Sequence, residues 1–347
     1  MALVTFEGFD QFDDTGLGTQ LLTKGWAAIV SPAGAAGRYG GRCFRLTTNS
    51  VTARYDFAAA LATATVGLAF QSTATNATSS SIVIFTDSGT TGQFGLGLNA
   101  SNKFFVFRGT TSTVVATSAT GPVALQWYYL EFQATIHNTT GAYEVKLNGT
   151  QLADLTATGV NTRSTANNQT TGVYLSSTAN PTGFFYCDDL YITDTTGGSN
   201  TGFLGEVRVT TIVPTGAGAS TQFTPSAGSN WQNVDEIGTS GTAADTDYNS
   251  SSTAGHIDSF AISSSSISGS PAVYAVALSV TCRKDDVGVR TIRTRLKSSA
   301  AISTGTTSTV LSSYGTFRTV HLVDPNTTAA WSVAAVNAME IGYELVS

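Results

Sequence analysis

The sequence predicts an all-β fold, with two jelly-roll-like β-sandwich domains in series and little helix. Three observations support this prediction. The chain has 347 residues, enough for two cores of ordinary size. Only 12% of the residues are charged, about half the usual share, and helix-forming residues are scarce. Short runs rich in Val, Ile, Phe, Tyr and Thr alternate with clusters of Gly, Asn and Ser, a pattern typical of many short strands joined by turns.

Strands in the first half of the chain are visible as alternating runs. Residues 80–117 supply three strands separated by Gly, Ser and Asn turns. In the run WYYLEFQATI, residues 127–136, apolar side chains recur on one face, which predicts a half-buried strand. The run 141–155 repeats this pattern up to Asn148-Gly149, a strong hairpin signal. This number of strands predicts a sandwich.

A linker is predicted at residues 197–202, Gly-Gly-Ser-Asn-Thr-Gly, which has nothing to bury. The predicted domains are therefore residues 1–196 and 203–347. With 9 basic and 12 acidic residues before residue 202, and 8 and 11 after it, each half carries a net charge of −3. The lack of a basic half argues against a nucleic-acid partner. No apolar run is long enough for a membrane span, so membrane insertion is not expected.

The second half of the chain continues the strand pattern. It opens with an alternating run at 205–214, and two further strands are predicted in the runs 272–286 and 289–299. A short helix is predicted near 332–338, with Ser332 as its N-cap, and the final strand follows it.

The cysteines and the N-terminal residues indicate the cellular compartment in which the chain is synthesised. The three cysteines have no metal-ligand spacing and predict small buried side chains rather than disulfides. The opening residues, MALVTFEGFDQFDD, show neither the basic nor the long apolar region of a secretory signal. Synthesis in the cytoplasm of a host cell is therefore expected.

The order of strands in the first half resembles the concanavalin A-like, laminin-G-like jelly-roll family. The resemblance rests on VTFEGFD near the start, on the paired strands WYYLEFQATI and AYEVKLNG, and on FFYCDDLYITD at 184–194. It covers residues 1–195. In that family the last strand returns to lie beside the first, which implies that acids at the two ends of this domain approach each other.

Residues 203–347 resemble a domain that recurs in structural proteins of tailed bacteriophages. The likeness is carried, in order, by GFLGEVRV, TQFTPSAGSNWQNVDE, DYNSSSTAGHIDSFAIS, VTCRKDDVGVRTIR and AWSVAAVNAMEIGYEL. It implies a virion component built as a compact β-fold, and it implies no catalytic residues.

Catalytic constellations are absent from the sequence. A glycoside hydrolase on a jelly-roll scaffold needs two carboxylates that flank one bond, at alternate positions of a strand. Here Glu131 is followed at those positions by Gln133 and Thr135. None of the three histidines lies in a nucleophile-elbow context. The sequence therefore predicts a protein that is not an enzyme.

Calcium, as a structural ion, is the one cofactor that the sequence suggests. Glu7, Asp10, Asp188 and Asp189 offer the hard oxygen ligands that calcium prefers, and the family resemblance implies that they lie close together. The alternative is that these acids cap turns and hydrogen-bond to the backbone. Both interpretations stay open at the level of sequence.

Four aromatic residues form a candidate glycan-binding platform: Trp26, Tyr39, Trp127 and Tyr129. Sugar sites on β-sandwiches combine exposed aromatic rings with polar side chains such as Asn and Asp. The alternative is that these rings belong to the core or to its rim.

Together these observations predict a non-enzymatic structural component of a tailed-bacteriophage virion, displayed on the surface of the head or tail. The expected partners are coat or tail subunits and further copies of the same chain, with a host surface glycan as a further candidate. No trimerising heptad or collagen-like repeat occurs, which favours a compact decoration or accessory protein over a long fibre. The alternative prediction is a carbohydrate-binding tail adhesin or receptor-binding module.

Overall fold

The computed structural model describes residues 3–12, 21–22, 24–30, 33–46, 52–74, 78–176, 183–236, 247–263 and 267–347. The regular secondary structure of the described chain is almost wholly antiparallel strand, with 53% strand and 4% helix, which confirms the all-β prediction. It divides into two compact units, Met1–Thr210 and Thr211–Ser347. In the ranges described, no helix has the length and apolar character needed to cross a membrane.

Fifteen strands are described in the first unit. In chain order they are β1 Leu3–Glu7, β2 Trp26–Val30, β3 Ala33–Ala36, β4 Arg42–Leu46, β5 Thr52–Leu61, β6 Thr63–Ser72, β7 Ser80–Ser88, β8 Thr91–Leu98, β9 Phe104–Arg108, β10 Val114–Thr117, β11 Trp127–Thr135, β12 Gly141–Leu147, β13 Thr150–Val160, β14 Thr170–Ser176 and β15 Phe185–Asp194. An eight-stranded sheet has the order β13-β12-β11-β6-β15-β4-β3, with β1 also paired to β15. A seven-stranded sheet has the order β10-β9-β8-β7-β14-β5-β2.

The two sheets of the first unit pack face to face. The ring centroid of Phe132 in β11 lies 5.1 Å from that of Phe85 in β7 and 5.9 Å from that of Phe94 in β8. All three side chains are buried in one core cluster. The alternation of side chains along the central strands places one face of each in this core. The sandwich expected from the jelly-roll resemblance is therefore present.

Strand β15 changes its edge partner part-way along its length. Its first residues pair with β4 and its last residues pair with β1, where Leu190 lies opposite Glu7. The last strand of the unit thus lies beside the first, as the family resemblance implied. At the change of partner the register with β6 shifts between Asp188 and Tyr191, which marks a β-bulge. Within it Asp189 has a φ of 47°, in the left-handed region.

Residues 202–209, called the strap below, cross the face of the eight-stranded sheet that points away from the core. The strap forms no strand. Its backbone amides donate to side chains of the sheet: Leu204 to Tyr191 Oη at 3.0 Å, Gly205 to Glu131 Oε1 at 2.8 Å and Val209 to Asp189 Oδ1 at 2.7 Å. Hydrogen bonds from strap backbone to sheet side chains therefore hold the strap to the eight-stranded sheet.

The strap lies beyond the predicted linker at 197–202, and the division into compact units follows it at Thr210. Alternation of Val207 and Val209 predicted a strand here, but no neighbouring strand pairs with this segment in the described chain. Its amides bind carboxylates and phenols instead. Hydrogen bonds from backbone amides to distant side chains require no particular residue type in the strap. The amino-acid composition of the strap therefore does not predict them.

Ten strands are described in the second unit: β16 Pro214–Thr221, β17 Thr224–Pro225, β18 Asn249–Ser250, β19 Ile257–Ile262, β20 Val276–Cys282, β21 Arg290–Ser298, β22 Ala301–Thr304, β23 Ser308–Val310, β24 Gly315–His321 and β25 Glu340–Leu345. A six-stranded sheet has the order β16-β19-β25-β21-β22, with β23 also paired to β21. Strands β17 and β18 form one two-stranded sheet, and β20 and β24 form another.

Two short helical segments are described in the second unit. A 3-10 turn spans Asn230–Asn233, and helix α1 spans Val333–Asn337, inside the range predicted from the sequence. Ser332 is the N-cap of α1, and its side-chain oxygen accepts a hydrogen bond from the amide of Ala335 at 3.1 Å. Val336 packs from α1 into a core cluster of this unit.

Candidate functional site

A polar recess of about 330 Å³ opens on the first unit beside the loop that joins β13 to β14. This segment, residues 161–169, is called the crossing loop, because β13 belongs to the eight-stranded sheet and β14 to the seven-stranded sheet. The recess is called the arginine recess. All of its lining side chains are polar: Arg108, Thr113, Asn161, Arg163, Ser164 and Thr165.

One buried glutamine holds the crossing loop in shape. Gln93 in β8 is fully buried, and its Nε2 lies within hydrogen-bonding distance of Thr165 Oγ1 (2.8 Å), Asn167 O (2.8 Å) and Gln169 O (3.2 Å). Its Oε1 accepts from the amides of Ser164 (2.8 Å) and Thr165 (3.0 Å). A loop without regular structure is thereby fixed to a rigid strand, the arrangement expected of a preorganised binding loop.

Asp87 provides a second anchor for the crossing loop. Its carboxylate accepts from Thr165 Oγ1 at 2.7 Å and from Asn167 Nδ2 at 3.0 Å. Hydrogen bonds to a charged acceptor are stronger than those between neutral groups. Because Asp87 belongs to β7 and Gln93 to β8, two adjacent strands hold the loop.

Arg108 contributes one wall of the arginine recess. It is half-buried at the end of β9, and its amide donates to Thr113 O at 2.9 Å, which closes the turn after the strand. Gly109 follows with a φ of 71°, and a Cβ at this position would lie 2.4 Å from Ser164 Oγ. Only glycine therefore allows the turn and the crossing loop to approach this closely.

Arg163 lines the arginine recess from the crossing loop. Its Nη1 donates to Ala166 O at 2.9 Å and to Asn168 Oδ1 at 3.0 Å, so the loop itself orients the guanidinium. Its amide donates to Asn161 Oδ1 at 3.0 Å. In the part of the chain that the structure describes, neither Arg163 nor Arg108 forms an ion pair. The recess thus carries two positive charges without a neighbouring carboxylate partner.

The four acids predicted as calcium ligands lie near the bulge of β15 and beside the strap. Three of them accept backbone amides: Asp10 Oδ1 from Arg42 at 2.8 Å, Asp188 Oδ2 from Arg38 at 2.9 Å and Asp189 Oδ1 from Val209 at 2.7 Å. Glu7 accepts from Gln11 Nε2 and lies 3.9 Å from Lys24 Nζ. Asp10, Asp188 and Asp189 thus form backbone hydrogen bonds of the kind that the alternative interpretation describes.

Burial raises the pKa values of Asp188 and Asp189, and repulsion between carboxylates adds to the effect. Burial raises the pKa of Asp188 to about 7, and the charge of Asp189 adds to the effect. Burial also raises the pKa of Asp189 to about 6, against the hydrogen bond from Val209 and the charge of Arg38. Among the described residues no three His, Cys, Asp or Glu side chains converge as a metal site requires. The calcium site stays a prediction.

The variant Asp189→Asn is expected to gain stability at high pH only. The carboxyl of Asp189 titrates near 3.8 without burial and near 6 in the fold, so the folded state holds the proton more tightly and wild-type stability falls as the pH rises between these values. Asn keeps an oxygen for the Val209 amide and tolerates a positive φ. We expect a gain of about 3 kcal/mol above pH 7 and none below pH 4.

Urea unfolding at a series of pH values, in a chelating buffer, measures this difference. A gap between wild type and Asp189→Asn that is the same at every pH would contradict the proposed cost of charging Asp189.

The predicted aromatic platform is wrong for two of its four residues. Trp26 and Tyr129 are buried, 3% and 0% exposed, and therefore cannot stack on a sugar. Tyr39 is 51% exposed, but the guanidinium groups of Arg38 and Arg208 lie 5.0 Å and 4.5 Å from its ring centroid.

Trp127 is half-buried at the start of β11, on the face that points away from the core. Its ring centroid lies 6.4 Å from that of Tyr186 in β15. Leu125, two residues before Trp127, is exposed and has a φ of 64°, which is unusual for a bulky side chain. Trp127 and Tyr39 are thus the two residues of the predicted platform that are not buried, and no ring contact joins them in the described chain.

Gln93, Arg108 and Arg163 are not among the site residues predicted from the sequence. Two features point to them in retrospect. The strand run TGQFGLGL, residues 91–98, contains one amide side chain among apolar residues and glycines, and a buried amide needs partners. The stretch NTRSTANNQ, residues 161–169, is a long polar connection within a compact domain, the kind of loop that carries function.

No family model and no curated protein matches this chain. Solved structures overlap with it at low similarity. Domain 4 of the extracellular GH43 arabinanase AbnA of Geobacillus stearothermophilus, in complex with arabinotriose, is 16% identical, with 56% of this chain and 93% of that chain covered and a TM-score of 0.39. The carbohydrate-binding module CBM66 of Bacillus subtilis is 14% identical, with 49% and 96% covered and a TM-score of 0.33.

The alginate lyase AlgAT5 of polysaccharide lyase family 7 is 14% identical, with 48% of this chain and 84% of that chain covered and a TM-score of 0.34. These overlaps include binding modules as well as an enzyme. At such identities and TM-scores they assign neither a ligand nor an activity to this chain.

Proposed function

We propose that this protein binds carbohydrate and that the arginine recess is its binding site. The observation that carries the proposal is the crossing loop, an irregular polar segment fixed by the buried Gln93. A ligand rich in hydroxyl groups needs donors and acceptors that are in place before it binds, because each flexible side chain ordered on binding costs about 0.5–1.5 kcal/mol. The recess offers hydroxyl, amide and guanidinium groups on such a support.

The proposal is for binding without catalysis. Asp87, the acid attached to the crossing loop, already accepts from Thr165 and Asn167. Glu131 of β11 is 1% exposed and lies beneath the strap, where it accepts from Gly205 and from Tyr191. A carboxylate enclosed in this way cannot reach a glycosidic bond to act as its general acid or nucleophile.

A second role, as a surface component of a tailed-bacteriophage virion, rests on the resemblance of residues 203–347 stated above. One feature of the second unit supports attachment to a larger assembly: Val287, Val289 and Leu311 are exposed apolar side chains. In this proposal the second unit contacts coat or tail subunits, and the first unit binds a glycan of the host surface.

Glycan-array screening of the purified full chain, with and without a chelator, tests the proposed function. We expect binding to a restricted set of glycans, unchanged by the chelator, and no release of reducing ends from any of them. Absence of binding to every glycan on the array would contradict carbohydrate binding. Loss of binding with the chelator would move the site to the acids near β15, and cleavage of a bound polysaccharide would contradict binding without catalysis.

A further inference from the structure

We propose that the arginine recess recognises a carboxylate group, so that the ligand of this protein is an acidic saccharide of the hexuronate type. This inference rests on the proposed function and specifies its ligand. It concerns Arg108 and Arg163, which line the recess together.

Several other arginines of the described chain pair with carboxylates, whereas these two do not. Arg54 binds Asp56 at 2.9 Å, Arg290 binds Asp286 at 2.7 Å and Arg293 binds Glu344 at 2.8 Å. The chain as a whole is acidic, with 23 acidic against 17 basic residues, so carboxylates are not scarce. Nevertheless no carboxylate of the described chain pairs with either arginine of the recess.

The two guanidinium groups are also partly withdrawn from water. Both side chains are half-buried, and a cation that loses water without gaining a partner is unfavourable. Nη1 of Arg163 is held by Ala166 O and Asn168 Oδ1, whereas its Nε and Nη2 have no partner among the described residues. The loop therefore fixes the plane of this guanidinium while leaving donors for a ligand.

A carboxylate fits this arrangement. Its two oxygens match the fork of a guanidinium, and charge-assisted pairs of this geometry combine strength with a fixed orientation. Hydroxyl and amide groups of Thr113, Asn161 and Ser164 surround the two charges and suit the hydroxyl groups of a sugar ring. The volume of about 330 Å³ lies at the lower end of the range for small-molecule sites.

Isothermal titration of the full chain tests this inference with matched probes. The acidic probes are trigalacturonate and trimannuronate, the neutral probes are their methyl esters, and a sulfated galactose trisaccharide separates carboxylate from sulfate. We expect at least one acidic probe to bind 10-fold or more tightly than its methyl ester and than the sulfated probe. We also expect its affinity to fall as salt is added.

Arg108→Gln and Arg163→Gln are each expected to lower the affinity for the acidic probe at least 10-fold and to leave the weaker affinity for the ester unchanged. Arg108→Gln breaks no side-chain hydrogen bond of the crossing loop, so its effect does not depend on loop stability. Arg295→Gln is the matched control, because Arg295 is a half-buried arginine of the second unit without an ion pair in the described chain.

Each contrary outcome has a separate meaning. Equal binding of acids and esters, or wild-type affinity in both arginine variants, overturns the carboxylate assignment and leaves carbohydrate binding intact. Equal binding of the sulfated probe also overturns it, in favour of a general anion site. If no glycan binds, either on the array or in titration, the proposed function itself is overturned.

Discussion

Replacing Gln93 by alanine is expected to weaken glycan binding strongly while the sandwich stays folded. Without the amide, the N–H groups of Ser164 and Thr165 and two backbone carbonyls of the crossing loop lose their partner. Each buried polar group left unsatisfied costs about 1–3 kcal/mol. The loop then samples several conformations, and the recess loses its fixed donors. We expect affinity to fall about 30-fold or more and the free energy of unfolding to fall by about 2–4 kcal/mol.

Gln71→Ala is the control for this variant. Gln71 is a largely buried glutamine of the other sheet, and its Nε2 donates to Leu125 O at 3.1 Å. We expect it to keep the wild-type affinity. Hydrogen exchange at the amides of Ser164 and Thr165 gives the local readout, fast in Gln93→Ala and slow in Gln71→Ala. Wild-type affinity in Gln93→Ala would show that the crossing loop does not form the site.

Glu131→Ala is expected to release the strap. The carboxylate accepts from the Gly205 amide at 2.8 Å and from the Tyr191 hydroxyl, and both donors lose their partner in the variant. We expect the free energy of unfolding of the first unit to fall by about 2–4 kcal/mol. We expect trypsin to cut quickly after Arg208, which lies within the strap, and to cut slowly at this bond in the wild type, where hydrogen bonds hold the strap.

Glu131→Gln separates the role of the acceptor from that of the charge. Gln keeps one oxygen that can accept from Gly205 and Tyr191, so we expect protection of Arg208 from trypsin to be largely retained. If Arg208 is protected from trypsin equally well in Glu131→Ala, the strap is held by its own side chains and not by Glu131. The candidate would then be Phe203, whose ring centroid lies 4.0 Å from Lys146 Nζ.

The sheet structure was predictable because alternation along a strand is a local property. The run 127–136 forms β11, Trp127–Thr135. Asn148 and Gly149, with φ values of 50° and 76°, form the turn that their dipeptide predicts. The strap was not predictable in this way, because its amides bind side chains that lie far away in the sequence. Only the folded sheet brings Glu131 and Tyr191 next to residues 202–209.

The site was harder to predict for the same reason. Tyr129 lies on the face of β11 that points away from the core, yet the strap covers it, and its hydroxyl donates to Asp189 O at 3.0 Å. Alternation indicates which side chains share a face but not what covers that face. Likewise, the sequence shows that Gln93 is an amide in a strand, but its partners on the crossing loop are more than seventy positions away.

Mapping of backbone amide shifts by NMR, during titration of the full chain with the tightest glycan from the array, tests the central claim most directly. Carbohydrate binding in the arginine recess predicts saturable shifts at Arg108, Thr113 and residues 161–165, with the surroundings of Trp127 and Tyr186 unchanged. Shifts confined to the Trp127 end of β11 and absent from the crossing loop would contradict it.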